Sequence, residues 1–537
     1  MLRVRRPLYF ILAIAIAYVA YLFAASATRQ EKATVKPPQG WPGKNKTVVF
    51  LTNSEHGQAN VMLATSHALL VEHHDLDIHV VSFGKLRGDV ETISKFAAQN
   101  SGSRKAITFH ELTKAQPYSK ALNDVGFTID TGISPPGIRG FGGLCQAVEM
   151  CMMPWTGPEH LDIYREISEI LEEVDPVIIA VDPLFGPGMD AARASGRNHV
   201  VLSPNSLKDN FMALQPKGAA LWKYPVIGSG YTYPVPWYLI PSNIYMNLRL
   251  AYTVLVAPSI ADKRSFLKKN GIAKPLDVFT VYHEDYPWIT QSSEELDYPF
   301  DIIPKNVVQC GPIFLSTAPA SEQDPELANW LKKSPTVLIN LGSHVDYNEN
   351  DATEMTKAVK ILLDHTKVQV LWKFNKRHEF TDQFLDILEG DIKSGRVRMS
   401  NWITVDPAAL LETGNVIVSV HHGGANCFHE AIGTGVPQVV LPLWVDLYDF
   451  AIRVEYLGVG VWGSRNAAPN WTAEELGAAL LKVAGDGEEA LSMRKRALEI
   501  SKPYKEKPGR IIAARELARL ARLASAPAPA SASASAS

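Results

Sequence analysis

The sequence predicts an α/β protein made of two doubly wound, parallel-sheet halves. Three observations carry this expectation. At 537 residues the chain exceeds what one hydrophobic core normally organises. Short apolar runs ending in polar residues alternate with helical patterns, as parallel strands covered by helices on both faces do. The series is also interrupted once: in "DIIPKNVVQCGPIFLSTAPASEQD", residues 301–324, turn formers gather and helical periodicity is lost.

Taken in order, the chain opens with Arg3, Arg5 and Arg6 ahead of an uncharged apolar run over residues 8–27. That run is long enough to cross a bilayer as a helix and longer than most signal-peptide cores, so residues 1–36 are expected to form a membrane anchor and stalk. The small residues Ala25, Ser26 and Ala27 leave a cleaved signal as the alternative. Basic residues before the run slightly outweigh those after it (Arg29, Lys32 and Lys36, offset by Glu31), which implies a single-pass protein with its body in the endoplasmic reticulum lumen. The sequons Asn45-Lys46-Thr47 and Asn470-Trp471-Thr472 agree with that topology.

Residues 37–312 form the expected first domain. "TVVFLT" followed by "ANVMLATSHALLVEHH" reads as strand, loop and helix, and "IHVVSF", "PVIIAVDPLF" and "HVVLSPNS" repeat the apolar strand with a polar ending. Between residues 211 and 258 the composition shifts to aromatic, Pro and Gly residues without clean periodicity; this reads as a partly buried excursion, compatible with a lid or a greasy wall for an apolar ligand. The second domain, residues 313–505, carries "PTVLINLGS", "VQVLWKF", "NVIVSVHHGG" and "PQVVLPLW". A short amphipathic helix, "IIAARELARLARL", follows within residues 506–524. The closing residues 525–537, rich in Ala, Ser and Pro, hold too little apolar surface to fold and are expected to be disordered.

Composition excludes some functions. Lys plus Arg total 53 against 56 for Asp plus Glu, so the basic excess that nucleic-acid binding needs is missing and no nucleic acid is expected as a partner. Of the four cysteines, Cys145, Cys151, Cys310 and Cys427, no pair has the C-x-x-C spacing of a zinc or redox motif. A Cys145–Cys151 bridge stays open in an oxidising lumen.

The chemistry concentrates in "HHGGANCFHEAIGTGVPQVVLP", residues 421–442. His421, His422, Cys427, His429 and Glu430 supply enough atoms for zinc, but alternation along a strand sends His421 and His422 to opposite faces and H-E-x-x-H is absent; no metal is expected. A phosphate cradle fits better. A strand running into Gly423 and Gly424 and then a helix presents unpaired amides beyond the carboxyl end of the sheet. Asn426 and Glu430, four apart, share one helix face, with Glu430 about 5 Å further along the axis. A carboxylate there accepts hydrogen bonds from a ribose diol and would repel phosphate. The D-x-D triplet at Asp75-Leu76-Asp77 falls in a turn, where charged residues are commonplace, and is not read as a metal site.

The longer stretch "HHGGANCFHEAIGTGVPQVVLPLWVDLYDFA" resembles the donor-binding signature of the UDP-dependent glycosyltransferases that include plant secondary-metabolite and animal glucuronosyl enzymes. The resemblance runs from Lys44 to the last helix and implies the GT-B fold, two Rossmann-like domains facing across a cleft. It also implies roles. Ser343, closing "LINLGS", would contact the donor phosphate; His422 and Asn426 would hold the diphosphate with Gly423, Gly424 and the backbone of Cys427; Glu430 would hold the ribose, and Trp402 would stack on uracil. Asp446 matches the first residue of an acidic-Gln pair that reads sugar hydroxyls. Leu447 replaces the Gln of that pair, and Thr404 and Val405 replace a Pro-Gln after the stacking tryptophan, so the sugar is not specified by the match.

The same resemblance places a histidine base in the loop after the first strand, oriented by an aspartate. In "TNSEHGQANVML" His56 is the only histidine, while a strict overlay on the plant pattern would put Gln58 there; "VIIAVDPLF" supplies Asp182 as the aspartate. An acceptor hydroxyl becomes a useful nucleophile when such a base removes its proton as the bond to carbon forms. Single displacement would invert an α-linked UDP-sugar into a β-glycoside, with no metal and no cofactor beyond the UDP-sugar itself. The partners implied are a UDP-sugar, an apolar hydroxylated acceptor and a membrane. A non-catalytic GT-B nucleotide-sugar binder is the rival reading, and an epimerase or hydrolase on this fold a third.

Overall fold

The computed structural model describes residues 41–525, apart from residues 42, 102–104, 276–285, 316–317 and 344. The expected anchor and stalk therefore lie outside the described residues, as does the tail beyond residue 525.

Two parallel sheets organise the chain. The first contains β1 (Asn45–Leu51), β2 (Asp77–Phe83), β3 (Thr108–Leu112), β4 (Pro176–Val181), β5 (His199–Ser203), β6 (Trp288–Thr290) and β7 (Val307–Gln309), in the order β3-β2-β1-β4-β5-β6-β7. The second contains β8 (Thr336–Ile339), β9 (Gln369–Lys373), β10 (Val397–Ser400), β11 (Val416–His421), β12 (Gln438–Val440) and β13 (Gly460–Trp462), in the order β10-β9-β8-β11-β12-β13. Their pairings are all parallel. Strands covered on both faces must be apolar almost throughout, and all six residues of β4 and the last five of β1 are buried. In each sheet the strand order reverses once, between β1 and β4 and between β8 and β11. Crevices open beyond the carboxyl ends at such switch points, and ligands bind there.

The helices that position the site are α1 (His56–Glu72), α2 (Arg87–Ser101), α3 (Phe141–Met152), α4 (Gly157–Val174), α5 (Ile240–Val256), α6 (Pro258–Lys269), α7 (Ala425–Thr434), α8 (Leu447–Leu457) and α9 (Gly509–Ser525). Local chemistry fixes their ends. Thr156 and Glu159 cap α4 reciprocally, and α7 stops where Gly435 turns left-handed at φ 79°. The last helix is not an appendage: Ala513, Ala514, Leu517, Ala518 and Ala521 of α9 are buried in the core that holds β1 and α1, and Arg515 Nε lies 3.0 Å from Glu72 Oε2. α9 thus completes the core of the first domain.

Two sequence expectations change here. The aperiodic stretch before residue 258 ends in a regular 17-residue helix, α5. Asn243 ties it down, its Nδ2 donating to the carbonyls of Leu221 and Tyr224, both at 2.9 Å, while its Oδ1 accepts from Val226 N at 2.9 Å. The cysteine bridge left open in the sequence is not formed. Cys145 and Cys151 lie six residues apart in α3, on different sides of it, and all four cysteines are free.

Candidate functional site

The two switch points face each other. β11 ends at His421, a buried ring whose Nε2 lies 2.9 Å from Gln438 Oε1 and whose Nδ1 accepts from Gly423 N at 3.0 Å. Burial lowers its pKa to about 4, so it stays neutral and fixes the turn. His422 has different surroundings. Its ring is held between two glycines: a Cβ at Gly342 would stand 2.7 Å from its Cε1, and one at Gly424 would stand 2.6 Å from its Nε2. Gly423, at φ 97°, is required for a second reason, since a Cβ there would meet Leu447 O at 2.9 Å.

The start of α7 has no side-chain cap and no acidic residue in its first turn, so its first amides stay unpaired and positive. Gly424, Ala425, Asn426 and Cys427 are all partly exposed. Asn426 Nδ2 donates to His56 O across the domain interface at 2.9 Å. The cradle therefore opens onto the crevice between the halves, at the first residue of α1. His429 is no ligand: it is buried, its Nδ1 lies 2.8 Å from Ala425 O, and burial lowers its pKa to about 3. Among the described residues no three His, Cys, Asp or Glu side chains converge as a metal set, and Asp77 is spent on Lys105 at 2.8 Å.

Around the cradle, Ser343 is exposed just beyond β8, after Gly342 at φ 90°. Trp402 presents its ring to solvent (62 % exposed). One residue the sequence reading missed joins them. Lys373, the last residue of β9, donates from Nζ to Gly342 O at 2.8 Å and sits 4.6 Å from the centre of the Trp402 ring. Burial lowers its pKa. Its position at the carboxyl end of a strand beside the switch point was the available signal. Cys427 has its thiol pushed up by burial, which leaves its backbone as the useful group. Glu430 is half-buried with its carboxyl group beneath the surface, where burial, and then Asp406, raise its pKa. Asp446 precedes α8 and follows Val445, a β-branched residue held at φ 34°, a local strain that aims the turn. Burial, and then Asp209, raise the Asp446 carboxyl to about 7.

Across the cleft, the expected His56–Asp182 pair is not formed. His56 Nδ1 lies 3.3 Å from Asn60 Oδ1, and its Nε2 lies 4.0 Å from Asp89 Oδ2 in the first turn of α2. Asp182 is fully buried at the end of β4. Its Oδ1 accepts from Leu184 N at 2.9 Å, and burial raises it to about 7 against the pull of the Leu184 amide and the Thr52 side chain. The reason is geometric: the loop after β1 enters α1 at His56 itself, so the ring leaves from a helix start and meets α2. Gln58 sits two residues on, about 200° round the helix, with Oε1 buried.

A family model described as UDP-glucoronosyl and UDP-glucosyl transferase matches residues 242–510. Over 507 residues the chain is 34% identical to glycosyltransferase sdnJ of Sordaria araneosa, spanning 88% of this chain and 97% of that protein. Over 272 residues it is 26% identical to 2-hydroxyacylsphingosine 1-beta-galactosyltransferase of Rattus norvegicus, half of this chain and 45% of that one. The UDP-glucose: anthocyanidin 3-O-glucosyltransferase in complex with UDP superposes with a TM-score of 0.57 at 15% identity, covering 89% of this chain and all of that structure. A UDP-glucosyltransferase from Polygonum tinctorium capable of glucosylating indoxyl superposes with a TM-score of 0.58, also at 15% identity, covering 92% and 100%. At such identities these structures speak for the fold alone, the two-domain GT-B arrangement. Together with the matched family model and the near full-length relative, they establish that the chain belongs to the UDP-glucoronosyl and UDP-glucosyl transferase family and is a UDP-glycosyltransferase, moving a hexose from a UDP-sugar.

Proposed function

We propose that the acceptor is a hydroxyl of an apolar small molecule or lipid, that transfer inverts the anomeric carbon, and that His56 is the base. The observation that carries this reading is the 2.9 Å hydrogen bond from Asn426 to the His56 carbonyl, which sets the base candidate one residue contact from the diphosphate cradle. In the proposed reaction neutral imidazole takes the acceptor proton while the hydroxyl oxygen attacks the anomeric carbon from the face opposite UDP. Negative charge growing on the departing UDP is met by the first amides of α7, by His422, by Ser343 and by the Lys373 ammonium. The chain's own residues thus supply the leaving-group stabilisation, and the reading assigns no role to a metal or cofactor. Glu430 takes the ribose hydroxyls, Trp402 the uracil face and Asp446 the sugar. The acceptor class is supported by the apolar cluster of Phe141, Leu144, Val226 and Met246, against which Val445 packs next to Asp446, and by one relative's being named for 2-hydroxyacylsphingosine. In this reading residues 1–36 tether the body inside the endoplasmic reticulum.

The test is transfer from UDP-hexoses to a panel of lipophilic alcohols, with the anomeric configuration of the product read by NMR. His56→Ala is expected to lose about 10²- to 10⁴-fold in kcat while keeping UDP affinity by calorimetry. Full activity in that variant removes His56 from the base role. Asp89→Asn and Asp182→Asn separate the two acids: the one that orients the imidazole shifts the acidic limb of the pH–rate profile, and the other leaves it in place.

A further inference from the structure

We propose that the outer face of α5 is a membrane-surface contact, seated at headgroup depth beside the acceptor side of the cleft. The face is built from exposed Tyr238, Pro241, Tyr245 and Tyr252, with Leu255 half-buried and Leu248 packed back against Leu221 and Ala251; the six are spaced three or four apart and so share one side of the helix and its lead-in turn. A solvent-facing stripe of a soluble protein normally carries charge. This one carries none. The single charged residue of α5, Arg249, stands at the edge of the stripe and reaches toward α3, where a Cβ at Gly142 would lie 3.2 Å from its Nη2. Trp237 is 82 % exposed, Tyr238 64 % and Tyr245 51 %, and Trp222 adds a further exposed ring.

Three features favour a lipid surface over other occupants. The exposed rings are Trp and Tyr, apolar bodies with polar tips, the residues that gather where a bilayer meets water. Basic groups stand at both ends of the segment, Lys217 beside Trp222 and Lys268 and Lys269 at the end of α6, suited to anionic headgroups. The apolar run of residues 8–27, expected from the sequence to be a membrane anchor, would also hold the body near a bilayer. Residues 237–269 are long and apolar enough to span a membrane by length and composition. They do not form a straight span here, because Ala257 breaks the helix at φ −49°, ψ 130° and because Asn243, Met246, Asn247 and Ala251 are packed into the body. The helix lies along the surface instead.

The arrangement serves the reaction proposed above, on which this inference rests for its purpose though not for its test. The inner side of α5 offers Met246 and Leu250 to α3 and to Val445, the neighbour of Asp446. One helix thus separates the lipid surface from the sugar end of the cleft, and an apolar acceptor dissolved in the bilayer would enter along it.

The experiment uses the full chain in vesicles of phosphatidylcholine and phosphatidylserine at three to one, with a doxyl quencher near the headgroup and no acceptor. Tryptophan emission is expected to be quenched, and the Trp222→Ser, Trp237→Ser double variant to lose at least half of the quenchable signal. Tyr245→Asp with Tyr252→Asp is expected to raise KM several-fold for a bilayer-dissolved acceptor and to leave KM for the UDP-sugar unchanged. Equal quenching in wild type and tryptophan variant overturns the proposal, as does efficient cross-linking of two copies through Tyr245→Cys, which would make the stripe a homodimer face. Quenching as expected with no transfer to any acceptor leaves the surface contact standing and defeats the functional reading instead.

Discussion

Replacing Lys208 with Met is expected to destabilise the protein by about 3–5 kcal/mol at pH 8, because it strands a buried carboxylate between the domains. Lys208 lies in the short helix Leu207–Phe211 after β5, and its Nζ is 2.6 Å from Asp449 Oδ2 in α8; the two side chains are 1% and 3% exposed. The same Nζ also donates to Pro225 O at 3.2 Å, so the ammonium is held by the carboxylate and by one backbone carbonyl. Two unit charges at that distance in an effective dielectric of 20 attract by about 6 kcal/mol before desolvation. The surroundings offer little substitute. Asp209 stands 3.9 Å from the same Nζ, and Arg453 is already 3.2 Å from Asp297. Burial has raised Asp449 to about 6 even with Lys208 drawing it down. Without the cation it rises further, so the folded state holds a proton that the unfolded chain, titrating near 3.9, has lost. Stability then falls as pH increases through that window: the defect is small at pH 5 and full at pH 8. Urea unfolding followed by fluorescence at both values measures it, and a cycle with Asp449→Leu isolates the pair, with an expected coupling above about 2 kcal/mol. A Lys208→Met protein within about 0.5 kcal/mol of wild type at pH 8, or strictly additive single effects, would refute the reasoning.

The same linkage applies to Asp182, raised from 3.8 to about 7: wild-type stability should decline between about pH 4 and 7 by an amount of order 4 kcal/mol, and Asp182→Asn should flatten that decline in unfolding midpoints compared at pH 5 and 8. Gly424→Ala places a Cβ 2.6 Å from His422 Nε2, so UDP affinity by calorimetry should drop about tenfold or more with the fold intact by circular dichroism; unchanged affinity would remove His422 from the cradle. Trp402→Ala should weaken UDP binding by about 1–3 kcal/mol, the range for a base losing an aromatic platform, and should weaken a non-nucleotide diphosphate not at all.

The parts of this molecule that the sequence discloses are those whose determinants are local. β1, β4, β8 and β11 are central strands, so burial on both faces forces near-continuous apolar runs that stand out in any reading. The glycine turn from β11 into α7 was legible for a similar reason, since Gly423 and the stop at Gly435 are backbone requirements written in single residues and Gly424 leaves room for the His422 ring. β6 and β13 have three residues each and no room for a period. α5 escaped because its inner face is packed while its outer face is equally apolar, which erases the contrast an amphipathic pattern needs. Contacts that depend on distance were not legible: Asp89 reaches His56 from another helix, Lys373 reaches Trp402 from a neighbouring strand, and Lys208 finds Asp449 from the other domain. No short window holds both members of any of these pairs.

Those long-range pairings also divide the cleft by charge. At one end the uncapped start of α7, His422 and Lys373 offer donors and a cation, a setting that favours phosphate. At the other end Asp446 and Asp182 are carboxyls raised to about 7 by burial. A buried carboxyl group in that condition is stabilised by a hydroxyl donated to it and is strongly disfavoured beside a second anion. A ligand matched to both ends therefore carries its negative charge in one place and a row of neutral hydroxyls in another. A UDP-sugar has that layout, and in the reading proposed above its diphosphate lies against α7 and its hexose toward Val445, where the apolar wall of α3 and α5 begins.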